Sequence, residues 1–181
     1  MTVSKHTSSQ NLMNLKKSAF CNTFDSMQLL NLTVLYYNFN FSKEKLKVVG
    51  DMYIKSDHQL LDNIELCSVV ESKITHVLGY SMRDIVKKFP YRSVSKMMNV
   101  KIRGNTHAIT TVYNSALQAI YSLTLLVLDI MIDHYHWSKT EIELWWSNIV
   151  SNAENYKYGM TDQFITEYFK DQIDLEISHM D

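Results

Sequence analysis

The hydrophobic and polar positions of this chain follow a helical spacing that occurs twice. Between about Asn14 and Tyr37, apolar residues recur every three or four positions, as they do on the buried face of an α-helix. The same spacing returns between about residues 111 and 134. Shorter helices are predicted at residues 43–54, 60–78, 139–153 and 162–169, whereas residues 94–103 are compatible with either a strand or a helix. The pattern predicts an all-α protein.

The two long predicted helices belong to an internal repeat, because residues 29–53 align with residues 125–149 at an offset of 96. The matching positions are Leu29 and Leu125, Leu30 and Leu126, Leu32 and Leu128, Val34 and Ile130, Phe39 and Tyr135, Phe41 and Trp137, Ser42 and Ser138, Lys43 and Lys139, and Leu46 and Ile142. Self-similarity at a fixed offset is typical of repeated structural units. We therefore expect two tandem, divergent three-helix units joined by a basic connector. The expected boundaries are 1–12 for a flexible lead, 13–80 for the first copy, 81–106 for the connector and 107–181 for the second copy.

Residues that favour helix ends mark the predicted boundaries. In each copy a serine, Ser42 or Ser138, follows an aromatic corner, and its hydroxyl can accept a hydrogen bond from a free amide of the next helix. Gly79 is a predicted helix stop. The other predicted boundaries are Ser56 or Asp57, Ser81 and Thr161 as caps, Pro90 as a residue that disfavours helix at Phe89, Lys88 as the end of a short helix, and 173–177 as a brief extended segment.

Each copy carries the pattern aliphatic-x-x-x-aromatic-x-aromatic-Ser-Lys-x-x-aliphatic, at residues 35–46 and 131–142. This motif resembles the core motif of small, functionally uncharacterised helical proteins encoded in phages and prophages of Gram-positive bacteria. The segment at residues 156–177 is similar to the closing helix of that family. Ser42 and Ser138 stand where family members often carry glycine. The resemblance implies a phage origin and a helical fold, and it implies no activity.

Composition agrees with a helical protein of a reducing compartment. The 181 residues are 46% hydrophobic and 20% charged, which suffices for a core, and they include only four Gly and one Pro. Cys21 and Cys67 are unclustered, and residues 1–12 contain no apolar leader, so we expect no disulfide, no signal peptide and a cytoplasmic location in a host bacterial cell. The longest apolar run, residues 123–132, is shorter than the roughly 20 residues of a membrane span.

Charge is distributed unevenly along the chain. Residues 83–103 carry seven basic residues against Asp84 alone, whereas three lysines face eleven carboxylates from residue 104 onward. The simplest explanation is mutual neutralisation between the connector and the second copy. Alternatively, the connector binds nucleic acid, because its cations are interleaved with Phe89 and Tyr91, which can stack on bases. The residues of this hypothesis are Lys87, Lys88, Arg92, Lys96, Lys101 and Arg103.

Candidate catalytic and metal-ligating residues are sparse. The segment 133–136, Asp-His-Tyr-His, holds potential ligands, but two histidines at i and i+2 chelate poorly at a helix end. Cys67 lies on a predicted apolar face without a base or an anion-hole motif beside it. The sequence has no glycine-rich phosphate loop. We therefore expect no catalytic residues, no metal and no cofactor, in a protein that is not an enzyme.

The second copy is rich in the aromatic residues that protein interfaces favour, namely Tyr135, Trp137, Trp145 and Trp146. Trp145 and Trp146 point about 100° apart on a helix, so one can be buried while its neighbour reaches the surface. Core packing is expected for Trp137 and for one of that pair. The sequence predicts a non-enzymatic interaction protein that inhibits or modulates a host enzyme or defence complex, or binds a second copy of itself, through these aromatics. Nucleic-acid binding through the connector is the alternative, and no membrane contact is expected.

Overall fold

The computed structural model describes residues 9–62, 64–102, 106–157 and 162–173. These residues form α-helices and no strand, which confirms the all-α prediction. In chain order the helices are α1 (Ser9–Phe39), α2 (Lys43–Asp62), α3 (Ile64–Leu78), α4 (Met82–Val86), α5 (Tyr91–Met97), α6 (Thr106–Tyr135), α7 (Lys139–Lys157) and α8 (Asp162–Ile173).

The long helices α1 and α6 form the centre of the fold and pack against each other more extensively than any other pair. Their buried faces are aliphatic, as at Leu30 and Leu126. The second helix of each copy packs mainly on the long helix of the other copy: α2 lies against α6, and α7 lies against α1. The third helices follow the same rule, with α3 on α6 and α8 on α1. Each copy therefore buries the apolar surface of the other.

Both long helices end in an aromatic corner with the same backbone geometry. Asn40 and His136 adopt left-handed φ angles of 53° and 54°, a conformation that Asn and His adopt more readily than most residues. The next amide, of Phe41 or Trp137, donates to the carbonyl six residues earlier at 3.0 and 3.1 Å. The two corners thus reverse the chain in the same way, at the offset of 96 that the sequence repeat shows.

The rings of the two corners pack against each other reciprocally. Phe39 stacks on Trp137 with ring centroids 4.7 Å apart, and Phe41 packs on Tyr135 at 4.9 Å. Because Phe39 corresponds to Tyr135 and Phe41 to Trp137 in the repeat, each contact is the counterpart of the other. Reciprocal contacts of this kind are typical of an approximate two-fold relation. Descent of the two copies from one duplicated unit stays a prediction.

A buried polar network joins α1 to α2 and α7. The indole N–H of Trp145 donates to Asn31 Oδ1 at 2.8 Å, and Asn31 Nδ2 donates to the phenol oxygen of Tyr53. All three residues are buried, and burial raises the pKa of the Tyr53 phenol well above its ordinary value of 10.0, so the phenol is uncharged. The network thus gives the nitrogen and the oxygen of the Asn31 amide one hydrogen bond each.

The predicted boundaries at Ser42, Gly79 and Ser81 are confirmed. The Ser42 hydroxyl accepts from the amide three residues later at 3.4 Å, and the Ser81 hydroxyl from the amide two residues later at 3.2 Å. Gly79 ends α3 with a φ of 81°, which costs glycine no steric strain. At Ser138 the amide and the hydroxyl both donate to the Glu141 carboxylate at 2.7 Å, and these hydrogen bonds lower the pKa of Glu141.

The first two helices are longer than predicted. Helix α1 begins at Ser9, so residues 9–12 are helical and the predicted lead was too long. Helix α2 continues through Ser56 and Asp57, so no helix begins at either residue. No Gly or Pro interrupts residues 51–62, and a Ser or Asp inside a helix costs at most about 0.7 kcal/mol relative to alanine, which does not force an end.

The ends of the connector and of the second copy also differ from prediction. Helix α4 ends at Val86, two residues before the predicted Lys88, and α5 shows that residues 94–97 of the undecided segment are helical. Helix α8 includes Ile173, where an extended segment was predicted. The remainder of that segment and the predicted cap Thr161 lie outside the described residues.

Within the described ranges, α6 is long and apolar enough to cross a membrane by length and composition alone. The apolar stretch of α6 is longer than the run at residues 123–132, because moderately apolar residues flank that run. Of that window, 67% is buried inside the fold. Burial against α1, α2 and α3 is the pattern of a central core helix.

Replacing Tyr53 by Phe is expected to lower the free energy of unfolding by about 1–3 kcal/mol, because the Asn31 amide would keep a buried donor without an acceptor. Urea unfolding followed by circular dichroism measures the change. Tyr91→Phe is the matched control, since Tyr91 is 60% exposed and loses its hydroxyl at the surface. Equal stabilities of the two variants would contradict a structural role of the network.

A fragment of residues 1–103 is expected not to fold as a stable monomer. Its α2 and α3 would lose α6, and its α1 would lose α6, α7 and α8, which together cover most of its apolar surface. A thermal scan by circular dichroism, combined with light scattering to fix the mass, should show no cooperative transition for the monomer. A sharp transition in a monomeric fragment would mean that one copy is self-sufficient.

Candidate functional site

The four aromatic residues predicted to bind a partner lie mostly inside the fold. Trp145 is 1% exposed and Trp137 is 6% exposed, so neither presents a surface. Tyr135 and Trp146 are half-buried. The Trp146 ring packs edge-on against Phe89, with centroids 5.7 Å apart. Only parts of Tyr135 and Trp146 are accessible to a partner, and a partner-binding role of the four residues stays a prediction.

The basic connector is an ordered layer of the fold. Helix α4 rests on α6, and α5 rests on α7 and α1. The connector is held by buried apolar side chains, which are Met82, Val86, Phe89, Val94, Met97 and Met98. Asn22 of α1 donates a hydrogen bond to the Met98 carbonyl at 2.8 Å and so fixes the far end of the connector. These contacts leave its charged side chains on the outer face.

The cations of the connector are exposed to solvent. The predicted nucleic-acid residues whose side chains are described are all exposed, namely Lys87, Lys88, Arg92, Lys96 and Lys101; Arg103 lies outside the described residues. Among the described side chains, only Lys87 of these five forms an ion pair, with Asp84 at 3.3 Å. The further connector cation, Arg83, pairs with Glu71 of α3 in the first copy. None of the described connector cations forms an ion pair with a described carboxylate of the second copy. The expected neutralisation, within one chain or between subunits, stays a prediction.

A cavity of about 220 Å³ lies between α4 and α6, beside these cations. Two cations, two amides, one phenol and two aliphatic side chains line it: Arg83, Lys87, Asn114, Gln118, Tyr121, Val86 and Leu117. The aliphatic side chains provide an apolar floor, and the amides and cations stand at the rim, where they are exposed. Both cations also pair with a carboxylate, Arg83 with Glu71 and Lys87 with Asp84, so the cavity offers several hydrogen-bond donors rather than an excess of positive charge.

Arg83 is positioned at this cavity by two neighbours. Its Nε lies 3.1 Å from Glu71 Oε1 and 3.3 Å from the phenol oxygen of Tyr121. The guanidinium carbon also lies 5.0 Å from the centroid of the Tyr121 ring. Burial raises the pKa of Tyr121 to about 12, so the phenol stays uncharged at physiological pH. Arg83 is thereby held in one place while its side chain remains 62% exposed.

A pair of tyrosine rings lies next to the cavity along α6. Tyr91, the first residue of α5, packs on Tyr113 of α6 with ring centroids 5.0 Å apart and planes tilted by 37°. Tyr91 is 60% exposed, whereas Tyr113 is half-buried. Burial, followed by the neighbouring Tyr91 phenol, raises the pKa of Tyr113. Tyr113 immediately precedes Asn114 of the cavity on α6, and Tyr91 immediately precedes the exposed connector cation Arg92 on α5.

The segment 133–136 contributes an ion pair and the aromatic corner in the described structure. Asp133 Oδ2 lies 2.9 Å from Lys73 Nζ, and Asp129 contacts the same ammonium group. Burial lowers the pKa of Lys73, but the hydrogen bonds with the two carboxylates outweigh burial and raise it. His136 forms the left-handed corner. No three His, Cys, Asp or Glu side chains converge as a metal site within the described ranges.

The residues of α6 that face the connector were not predicted from the sequence. Tyr113, Asn114, Leu117, Gln118 and Tyr121 recur at three- and four-residue steps, so they share one side of the helix. A stripe of polar residues along an otherwise apolar helix was the sequence feature that could have indicated this surface. The more numerous apolar positions of the same helix indicated a core helix, so the polar stripe was not recognised.

No family model, curated protein or solved structure matches this chain. The resemblance to phage and prophage proteins therefore stays a prediction.

Proposed function

We propose that this protein is a non-enzymatic nucleic-acid-binding protein that contacts its ligand through the basic connector and the adjoining side of α6. The observation that carries the proposal is the exposure of the connector cations. Lys88, Arg92, Lys96 and Lys101 face solvent without a carboxylate partner among the described residues. Exposed cations of this kind bind phosphates and release the counterions of the nucleic acid.

The net charge of −1 does not oppose this proposal. At about 0.1 M salt, the interaction between exposed charges is screened beyond roughly 10 Å. A bound phosphate therefore responds mainly to the cations it touches. Arg92 and Lys96 are four residues apart on α5, which places them on the same side of that helix.

The double variant Lys88→Glu/Arg92→Glu is expected to lower the affinity for nucleic acid on the order of tenfold at low salt, because two attractive phosphate interactions become repulsive. The slope of log K against log salt concentration should also fall by about 1 for each phosphate that the variant no longer neutralises. Fluorescence anisotropy with labelled oligonucleotides across a salt series measures both quantities. Lys45→Glu/Lys47→Glu on α2 makes the same charge change away from the connector and should leave the affinity near that of the wild type.

Two results would contradict the proposal. One is an equal decrease of affinity in the connector variant and in the α2 variant, which would indicate a response to total charge. The other is binding that does not depend on salt. Circular dichroism spectra of both variants establish that the fold is retained.

A protein partner is a second candidate, because exposed apolar residues recur at matched positions of the two copies. Val48 of α2 is 45% exposed and its counterpart Leu144 of α7 is 53% exposed. Met13 and Ile109 correspond at the same offset of 96. Exposed large apolar side chains favour protein interfaces, and their recurrence favours a partner that meets both copies.

Affinity purification from a bacterial lysate, with and without nuclease, separates the two candidates. Nucleic acid is expected to co-purify with the wild type and with Val48→Glu/Leu144→Glu but not with Lys88→Glu/Arg92→Glu, because only the connector change removes cations that bind phosphate. The opposite pattern, a stoichiometric protein that survives nuclease and is absent only from Val48→Glu/Leu144→Glu, would favour the protein partner.

A further inference from the structure

We infer that the nucleic acid bound by the connector is single-stranded, with one unpaired base stacked on Tyr91 and a neighbouring backbone phosphate in the cavity beside Arg83 and Lys87. This inference rests on the proposed function and names the ligand class of the same surface. It starts from the juxtaposition of an exposed aromatic ring with a polar cavity that is lined by two ion-paired cations and two amides.

Tyr91 has the placement of a stacking residue. Its ring is backed by Tyr113 at 5.0 Å, while 60% of the residue remains exposed. A ring supported on one side stays in a fixed orientation and offers its remaining surface to a ligand. The bases of a duplex are covered above and below by their neighbours, so only an unpaired base can present a free face to such a ring.

The cavity has the dimensions and donors that suit the adjoining backbone. Tyr113 and Tyr121 are eight residues apart on α6, which is about 12 Å at the rise of an α-helix. Between them, the exposed amides of Asn114 and Gln118 face Arg83 and Lys87 across about 220 Å³. This space admits a phosphodiester or a sugar and excludes a base pair. Amide and cationic side chains are the groups that commonly hold phosphate and sugar oxygens.

The connector lacks the features that read a duplex. Direct readout of double-stranded DNA usually places a protruding helix or ribbon in the major groove. Helix α5 has seven residues, and Val94 and Met97 bury one side of it against the rest of the fold. Its exposed side carries Arg92 and Lys96, which can follow a backbone, but α5 does not project from the surface.

The test uses labelled oligo-dT, oligo-U, a duplex of equal length and an abasic oligonucleotide of equal length, measured by fluorescence anisotropy. Tyr91→Ala is expected to weaken binding of the single strands about tenfold, because the base no longer has a ring on which to stack. Tyr91→Phe retains the ring and should bind as the wild type does. The abasic oligonucleotide should bind wild type and Tyr91→Ala equally, because it carries phosphates without bases. The oligo-dT and oligo-U arms show whether DNA or RNA is preferred.

The second variant, Asn114→Ala/Gln118→Ala, tests the cavity independently of the ring and should also weaken single-strand binding. Both residues are exposed, so the fold should tolerate their truncation. Duplex binding as tight as single-strand binding, or unchanged single-strand affinity in Tyr91→Ala, would overturn the inference. If Lys88→Glu/Arg92→Glu still abolished binding in that case, the proposed function would stand without it. No binding of the wild type to any of these oligonucleotides would overturn both.

Discussion

The arrangement of the helices depends on the buried amide of Asn31. An amide in a dry core must meet its hydrogen-bonding groups within the protein, and α2 and α7 supply the two partners from opposite copies. At the counterpart positions, offset by 96, the chain has Val127, Ile149 and Val49, all of them buried. One side of the core is thus polar where the related side is aliphatic. If the two sides were exchanged, the Asn31 amide would lose both of its hydrogen-bond partners. The network of Asn31, Tyr53 and Trp145 therefore favours the observed packing over the exchanged one.

The reciprocal aromatic corners make the two copies dependent on each other. Phe39 and Phe41 find their ring partners in Tyr135 and Trp137, which lie about a hundred positions away in the chain. The helix that follows each corner then packs on the opposite long helix. Neither copy completes its core before the other is in place, and the contacts of largest sequence separation are those that hold the centre together.

Features set by neighbouring residues could be predicted from the sequence, whereas features set by distant contacts could not. Helical spacing, the cap at Ser42 and the stop at Gly79 depend on a few adjacent residues, and the structure confirms them. Periodicity shows that a face is buried but not which helix covers it. The packing of α2 on α6 and of α7 on α1, and the ring partners of Trp137, could therefore not be predicted from the sequence. Charge signs likewise do not reveal which carboxylates lie within reach, and the exposure of the connector cations follows only from its apolar attachment to α7.

The connector covers one of two related faces. On α7 it packs over Trp146 through Phe89, whereas the counterpart of Trp146 on α2 is Gly50, where an added Cβ would meet nothing within 4 Å. The connector therefore makes the surface of α7 different from the corresponding surface of α2. Binding through the connector would therefore occur with one ligand per chain and with one direction of the bound strand, although the sequence motif occurs twice.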